Sequence, residues 1–173
     1  MRKSSRNLLL LAITTAVIGA AVYAQINHER DQLRTRRLTE IDPASISHVS
    51  ISCINCRTRR FERNGDGWHM LEPFALPAST DAVTRLIAVA NAPVHEWLSS
   101  HDHDLTKLGL DPPQITLRLD DSTITIGNED PIDHDRYMRI DDKLARVPDR
   151  FSARLLESPQ NELADPNAIQ KRQ

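Results

Sequence analysis

The stretch Ile115–Gly127, with the sequence ITLRLDDSTITIG, alternates apolar and polar side chains on both sides of a central turn. Alternation with a period of two places the apolar side chains of each run on one face of a strand. Asp121 and Ser122 are turn-forming residues between the two runs. The stretch therefore predicts an antiparallel hairpin with one buried face, and it favours a domain built on an antiparallel sheet.

Further strand patterns lie on both sides of this hairpin. A two-residue hairpin tip is expected at Ile54-Asn55, and a second tight turn at Asn64–Gly67, where Asn and Gly accept positive φ values. The additional strands expected are Val49–Cys53, Arg57–Arg63, Trp68–Leu71, Met138–Ile140 and Leu144–Val147, with a short strand within Val94–Leu98. The predicted architecture is thus a set of antiparallel meanders.

Two amphipathic helices complete the predicted α+β fold. The first begins at Ser79 or Thr80 and ends before Pro93, and its apolar stripe consists of Val83, Leu86, Ile87 and Ala90. The second runs from a cap at Asp149 to Glu157. Each helix follows a group of strands, which suggests an internal β-β-β-α duplication.

An uncharged apolar run, Leu8–Ala24, follows a basic N-terminal tail that carries Arg2, Lys3 and Arg6. Its length is close to the roughly 20 residues of a transmembrane helix. A secretory signal peptide is the alternative interpretation, with or without cleavage after Ala24. The run is longer than the usual apolar region of a signal peptide, which favours a membrane anchor.

The basic residues of the short N-terminal tail predict that it stays in the cytoplasm, although four arginines between Arg30 and Arg37 compete with it. The expected location is the inner membrane, with one span and a periplasmic C-terminal domain. The expected organisation is a cytoplasmic tail (1–7), a transmembrane anchor (8–24), a polar juxtamembrane helix (25–40), an α+β domain (41–158) and a disordered tail (159–173).

Composition argues against several classes of function. The formal net charge is −2, so the chain has no basic excess for binding nucleic acid. Only five glycines are present, and no glycine-rich loop indicates nucleotide binding. No cofactor is expected. The sequence also contains no motif of a known hydrolase nucleophile or zinc protease, and we therefore expect no enzymatic activity.

The most distinctive chemical feature of the sequence is the pair of cysteines Cys53 and Cys56. Residues that flank a two-residue hairpin have Cα atoms about 5.5 Å apart, which is within the range of a disulfide. The pair is therefore a disulfide candidate. A redox dithiol is the alternative, but it is typically placed at a helix N-terminus, whereas Cys53 ends a strand pattern. A structural zinc site would require four ligands.

Two His/Asp loops are weak metal candidates, through His101, Asp102 and His103 in one loop and His134 in the other. Two imidazoles and a carboxylate can ligate a metal ion. A histidine pair at positions i and i+2, however, requires an extended loop and a third ligand that is fixed in place. The simpler interpretation is a pair of solvated loops, the first ending at a cap, Asp104, of a helical turn. No metal site is therefore assigned.

The order of several short motifs resembles the domain of unknown function 4340 family. The resemblance covers roughly Ile46–Leu156, and its most specific part is Gly109–Pro113 (GLDPP) followed by an alternating strand that ends in Ile-Gly. The other matching features are Trp68 before Pro73, the helix after Pro77, Tyr137 and Val147-Pro148. The resemblance implies a bacterial, membrane-anchored protein displayed on the periplasmic side, in some cases beside transporter systems such as gliding-motility proteins. It implies no catalytic residues.

These observations together predict a non-enzymatic, membrane-tethered periplasmic domain that binds a protein partner. An accessory role in transport or envelope assembly is expected. The alternative is a metal-binding or thiol-active envelope protein that uses the His/Asp loop or the Cys53/Cys56 pair.

Overall fold

The structure is a computed structural model, and it describes residues 18–23, 25, 37–65 and 67–169. The chain divides into two units, Met1–Arg36 and Arg37–Gln173. In the first unit, residues 18–23 are helical. The predicted tail (1–7), most of the predicted anchor and most of the juxtamembrane segment lie outside the described residues. Among the residues that are described, no helix has the length and apolar character needed to cross a membrane.

The second unit contains, in its described residues, one nine-stranded antiparallel sheet with a few short helices. The strands are β1 (His48–Cys53), β2 (Arg59–Asn64), β3 (Gly67–Glu72), β4 (Leu76–Ala78), β5 (Glu96–Leu98), β6 (Ile115–Leu119), β7 (Ser122–Glu129), β8 (Asp135–Ile140) and β9 (Lys143–Pro148). The helices are α1 (Thr80–Ile87) and α2 (Ser152–Leu155), with 3-10 helices at Ala88–Asn91 and Pro159–Glu162. The order in the sheet is β4-β3-β2-β1-β6-β7-β8-β9-β5.

The hairpin predicted at Ile115–Gly127 is confirmed as β6 and β7. Leu117 pairs with Ile124, and Leu119 pairs with Ser122, so that the turn lies at Asp120 and Asp121, one residue earlier than expected. Asp120 has a φ of 48°, which an aspartate tolerates better than most residues. Its carboxylate also accepts a 2.7 Å hydrogen bond from the backbone N–H of His48 at the start of β1. The turn therefore attaches the hairpin to β1.

The core lies on one face of the sheet. The alternating apolar residues of the strands pack there against the apolar sides of the two helices, including Val83, Leu86 and Leu155. The helix α1 begins at Thr80, one of the two predicted starts, and Ser79 caps it, because its side chain accepts a 3.3 Å hydrogen bond from the N–H of Ala82. Burial of these side chains supplies the main stabilisation of the fold.

The sheet consists of two four-stranded meanders, β1–β4 and β6–β9, which meet where β1 pairs with β6, and of the edge strand β5, which pairs with β9. A helix follows each meander. Strand β4 was not predicted from the sequence, because Pro77 lies in its middle and proline cannot donate a ladder hydrogen bond. Proline is tolerated there because β4 is the end strand of the sheet.

The compact unit begins before the predicted boundary at Ile41. Arg37 forms a bridge with Pro93, and the N–H of Leu38 donates a 2.9 Å hydrogen bond to the carbonyl oxygen of Ala92. Leu38 is only 3% exposed and belongs to the core. The predicted juxtamembrane helix is therefore wrong for residues 37–40, which are not helical and are held against the domain by the buried Leu38 and the bridge of Arg37.

The prediction of a disordered tail from Pro159 is wrong for residues 159–169. Leu163 is buried and forms a bridge with Ala78, at the outer edge of β4. The N–H of Ser79 also donates a 2.8 Å hydrogen bond to the carbonyl oxygen of Glu162. The segment has no helical or strand periodicity, but one apolar side chain and one buried carboxylate fix it to the domain. Residues 170–173 lie outside the described residues.

Candidate functional site

The loop between β1 and β2 contains a disulfide that joins Cys53 and Cys56, with the two Cα atoms 5.3 Å apart. The predicted two-residue hairpin is wrong, because the last pair of β1 and β2 is Ile51 with Arg59. Cys53 instead pairs with Ile115 on β6, on the other side of β1. The β-branched residue Ile54 is poorly suited to the tight turn expected there. The disulfide therefore closes a compact turn within a longer loop.

A cavity of about 340 Å³ lies beside this turn. Its walls come from four parts of the fold, namely the disulfide turn, the start of β6, the start of β8, and the residue after α2. The lining residues are Cys53, Ile54, Asn55, Cys56, Gln114, Ile115, Arg136 and Leu156. We refer to this space as the disulfide cavity.

Two exposed apolar side chains line the disulfide cavity. Ile54 is 64% exposed and Leu156 is 56% exposed, whereas Ile115 is buried. Single apolar residues on a surface are common, but apolar residues that converge on one cavity are typical of a binding site. The cavity therefore has an apolar part that is open to solvent.

Arg136 is the one charged residue among those that line the disulfide cavity, and its guanidinium is paired with groups outside that lining. Its Nε and Nη2 atoms donate hydrogen bonds of 3.0 and 2.8 Å to Oδ2 of Asp149. Its Nη1 atom donates a 3.2 Å hydrogen bond to the carbonyl oxygen of Gly127, and Nη2 lies 3.7 Å from Oε2 of Glu129. Burial would raise the pKa of Asp149, but hydrogen bonds from Ser152 and Arg136 outweigh it and lower that pKa. Asp149 is thus an anionic support that fixes the guanidinium.

Two amides add hydrogen-bonding groups to the cavity lining. The side-chain nitrogen of Gln114 donates to Oδ1 of Asn128, which leaves the side-chain oxygen of Gln114 without a protein partner among the described residues. The side chain of Asn55 likewise makes no hydrogen bond to any described residue. The disulfide cavity therefore combines one fixed cation, two amides and an apolar surface.

The predicted His/Asp loops do not form a joint site in the described part of the chain. Nδ1 of His103 lies 2.9 Å from the carbonyl oxygen of Ser99, and Nδ1 of His134 lies 2.6 Å from Oε1 of Glu129. No hydrogen bond or ion pair joins the two loops within residues 37–65 and 67–169. His101 and Asp102 are exposed. The described residues contain no group of three or more His, Cys, Asp or Glu side chains arranged to hold a metal ion.

The cysteine pair also lacks the environment that activates a thiol. Cys53 is the last residue of β1, and Cys56 lies in the turn that follows. A low thiolate pKa usually requires a helix N-terminus or an unpaired neighbouring cation. The guanidinium of Arg136 lines the same cavity, but it is already paired with Asp149. This geometry favours a structural role for the disulfide.

A second polar cluster, around Asp130, was not predicted. Asp130 is 6% exposed, and its carboxylate accepts hydrogen bonds from the backbone N–H of Asp133 (3.0 Å) and the hydroxyl of Tyr137 (2.9 Å). These bonds lower the pKa of Asp130, with the Asp133 N–H as the largest contribution. Burial, followed by the bond to Asp130, raises the pKa of Tyr137.

Arg146 completes this cluster. Its guanidinium contacts Asp130 (3.5 Å), Asp133 (3.0 Å) and Glu96 (2.6 Å). Every acid of the cluster thus has a partner, which is typical of a structural network that joins β5, β9 and the β7–β8 loop. No sequence motif indicated it, because Glu96 lies 50 residues before Arg146 and the nearer members do not follow a recognised spacing.

Comparison with known families gives one match. A family model described as "Domain of unknown function (DUF4340)" matches residues 68–170, which is more than half of the chain. The match includes Gln114, Arg136 and Leu156 of the disulfide cavity, whereas the disulfide turn precedes it. Comparisons with curated proteins and with solved structures give no match.

Proposed function

The chain belongs to the DUF4340 family, and from this premise we propose that it is a membrane-tethered, non-enzymatic periplasmic domain that binds a protein partner at the disulfide cavity. The observation that carries this proposal is the convergence of Ile54 and Leu156, both more than half exposed, on one cavity. Such surface is costly to leave in water unless a partner covers it for part of the time.

The proposed location is supported by the N-terminal sequence and by the disulfide. The run Leu8–Ala24 has the length and composition of a membrane anchor. Disulfides persist in the periplasm and are rare in the cytosol, where thiols are kept reduced. Cys53 and Cys56 are therefore compatible with a domain on the outer side of the inner membrane.

The proposed biological role is an accessory to transport or envelope assembly. Its support is the resemblance to proteins that in some cases lie beside transporter systems, together with the lack of any known catalytic motif in the sequence. We also propose that the two halves of the sheet arose by duplication, because each is an antiparallel meander followed by a helix.

The test of the interaction is photo-crosslinking in intact cells. A photoreactive residue replaces Leu156 in the full chain, and Ile132, which is 81% exposed and does not line the cavity, provides the matched control. We expect a specific covalent adduct from position 156 and none from position 132. Identical adduct patterns at the two positions, or no adduct at position 156, would contradict the proposed surface.

A separate experiment tests the proposed topology. A reporter that is active only in the periplasm is fused after Gln173, and a cytoplasmic reporter at the same position is the control. Activity of the periplasmic reporter is expected. Activity of the cytoplasmic reporter instead would overturn the proposed location.

A further inference from the structure

We infer that the segment of the protein partner that covers Ile54 and Leu156 is acidic, and that its carboxylates pair with three arginines beside the disulfide cavity. These are Arg57, Arg150 and Arg154, which we call the rim arginines. This inference rests on the proposed function and specifies the charge of the partner at the same surface. It depends on the position of the rim arginines, on their lack of partners, and on the pairing of the acids near them.

Arg57 and Arg154 belong to the two segments that carry the exposed apolar side chains of the cavity. Arg57 directly follows Cys56 of the disulfide turn, and Arg154 lies two residues before Leu156. The two segments meet in the fold, because both line the disulfide cavity. Each of these two arginines is therefore within two residues of a side chain that lines the cavity.

All three rim arginines are available to a ligand. Each is exposed, and none makes a side-chain hydrogen bond, ion pair or ring contact to any residue that the structure describes. Arg150 belongs to this group because it directly follows Asp149, whose carboxylate binds Arg136 of the cavity lining. The rim arginines thus differ from Arg136, whose guanidinium is already occupied. A free guanidinium presents a planar set of donors that matches a carboxylate in a bidentate geometry.

The acids nearest to the rim arginines in the sequence do not cancel their charge. These acids are Asp149 and Glu157. Asp149 is already paired with Arg136. Glu157 is exposed, and its Oε1 atom accepts a 3.0 Å hydrogen bond from the neutral side chain of Asn161. Three unpaired positive charges against this one negative charge leave the surface beside the cavity positive.

The opposite end of the sheet carries charge of the opposite sign. Strand β6 begins at the disulfide turn, where Ile115 pairs with Cys53, and it runs to the β6–β7 turn. Strand β8 also starts at the cavity, and it runs to the β8–β9 turn. Exposed aspartates occupy these two turns, namely Asp121, Asp141 and Asp142. An acidic segment is therefore attracted to the cavity end of the domain and repelled by the other end, and charge complementarity favours it as the occupant.

Charge-reversal variants test this inference in the photo-crosslinking experiment. The full chain carries the photoreactive residue at position 156 together with Arg57→Glu and Arg154→Glu. We expect the adduct with the partner to decrease by about fivefold or more, because each reversal replaces an attraction by a repulsion.

The matched control combines the same photoreactive residue with Arg85→Glu and Arg118→Glu. Both of these arginines are exposed, lack a partner in the described part of the chain, and do not line the cavity. The control changes the net charge by the same amount and should leave the adduct unchanged. Arg57→Gln with Arg154→Gln removes the two charges without adding repulsion, and it should give an adduct between those of the reversal variant and the control.

The composition of the adduct provides a second measurement. Mass spectrometry identifies the partner peptide that is joined to position 156. This peptide should have a net negative charge and at least one apolar side chain, because it is expected to contact both the rim arginines and the apolar part of the cavity.

The results separate this inference from the proposed function. A protein adduct that is equally abundant in the reversal variant and its control would overturn the inference and retain the partner surface. A neutral or basic partner peptide would have the same meaning, as would a glutamine variant that forms as much adduct as the control. A lipid adduct in place of a protein adduct, or no adduct at position 156, would contradict both proposals.

Discussion

Arg59 of β2 and Glu162 of the C-terminal 3-10 helix form an ion pair that is almost completely buried, with side-chain exposures of 1% and 3%. The guanidinium of Arg59 also donates to the carbonyl oxygen of Leu155 at the end of α2. One arginine therefore connects the sheet, α2 and the C-terminal segment. A buried pair has a large desolvation cost, but the loss of one partner leaves an uncompensated charge in the core.

At a pH above about 7, where Glu162 is ionised, replacement of Arg59 by Met is expected to lower the free energy of unfolding by about 3 to 5 kcal/mol, because the Glu162 carboxylate would lose its counter-charge. The neighbouring Arg60 provides the control, since it is 57% exposed and its contact with Glu72 is 3.5 Å long. Arg60→Met should change stability by less than about 1 kcal/mol. Urea denaturation of the full-length variants measures both values, and equal effects would contradict a structural role for the buried pair.

The stability of the protein should depend on pH through Glu162. Burial raises the pKa of this carboxyl group from 4.5 to about 7, and the charge of Arg59 only partly offsets that rise. Glu157 also raises it. Between these two pKa values the folded state binds a proton that the unfolded state releases, so stability falls as the pH rises from 4.5 to about 7.

The comparison of wild type with Glu162→Gln isolates this effect, because glutamine does not titrate. The difference in unfolding free energy, wild type minus variant, should decrease across that pH range and become constant above it. A difference that is independent of pH, or that increases with pH, would show that Glu162 is not protonated in the folded state near neutrality.

Gly127 on β7 lies where the 104–110 turn packs against the sheet. A Cβ atom at this position would lie 2.2 Å from the carbonyl oxygen of Leu108, a backbone atom that cannot move independently. Gly127→Ala is expected to lower the unfolding free energy by about 1 to 3 kcal/mol, as overpacking usually does. Gly65→Ala is the control, because no atom lies within 4 Å of the position that a Cβ atom would occupy there. Thermal denaturation of both variants measures the contrast, and similar melting temperatures would contradict the close approach.

The contact between Gly127 and the 104–110 turn also joins the two stretches of sequence on which the family resemblance rests. Gly109, in the GLDPP motif, has a φ of 67°, and a Cβ atom on Gly127 would lie 3.2 Å from the carbonyl carbon of Gly109. The two most specific parts of the motif thus meet in the structure. Local patterns also predicted the β6–β7 hairpin and the start of α1 at Ser79 or Thr80, because turn chemistry and periodicity act over a few residues.

Features that depend on distant residues could not be predicted in this way. Glu162 lies 103 residues after Arg59, and the two have no common pattern in the sequence. The same holds for the disulfide cavity, where Gln114, Arg136 and Leu156 join the disulfide turn only because β1 pairs with β6. The two-residue hairpin at Ile54-Asn55 was wrong because a local turn rule was applied where the tertiary pairing of Cys53 with Ile115 determines the loop.

The disulfide is expected to shape the proposed partner surface and to contribute only modestly to folding. The bridge joins residues only three positions apart, so the loop-entropy model gives a stabilisation of about 2 kcal/mol. The double variant Cys53→Ser/Cys56→Ser should therefore remain folded, with a modest loss in urea denaturation. It should form less of the covalent adduct at position 156 than the protein with both cysteines, because the disulfide turn forms one wall of the cavity. Reductant should reduce the adduct of the protein with both cysteines and leave that of the double variant unchanged, and an unchanged adduct in both would show that the turn does not shape the site.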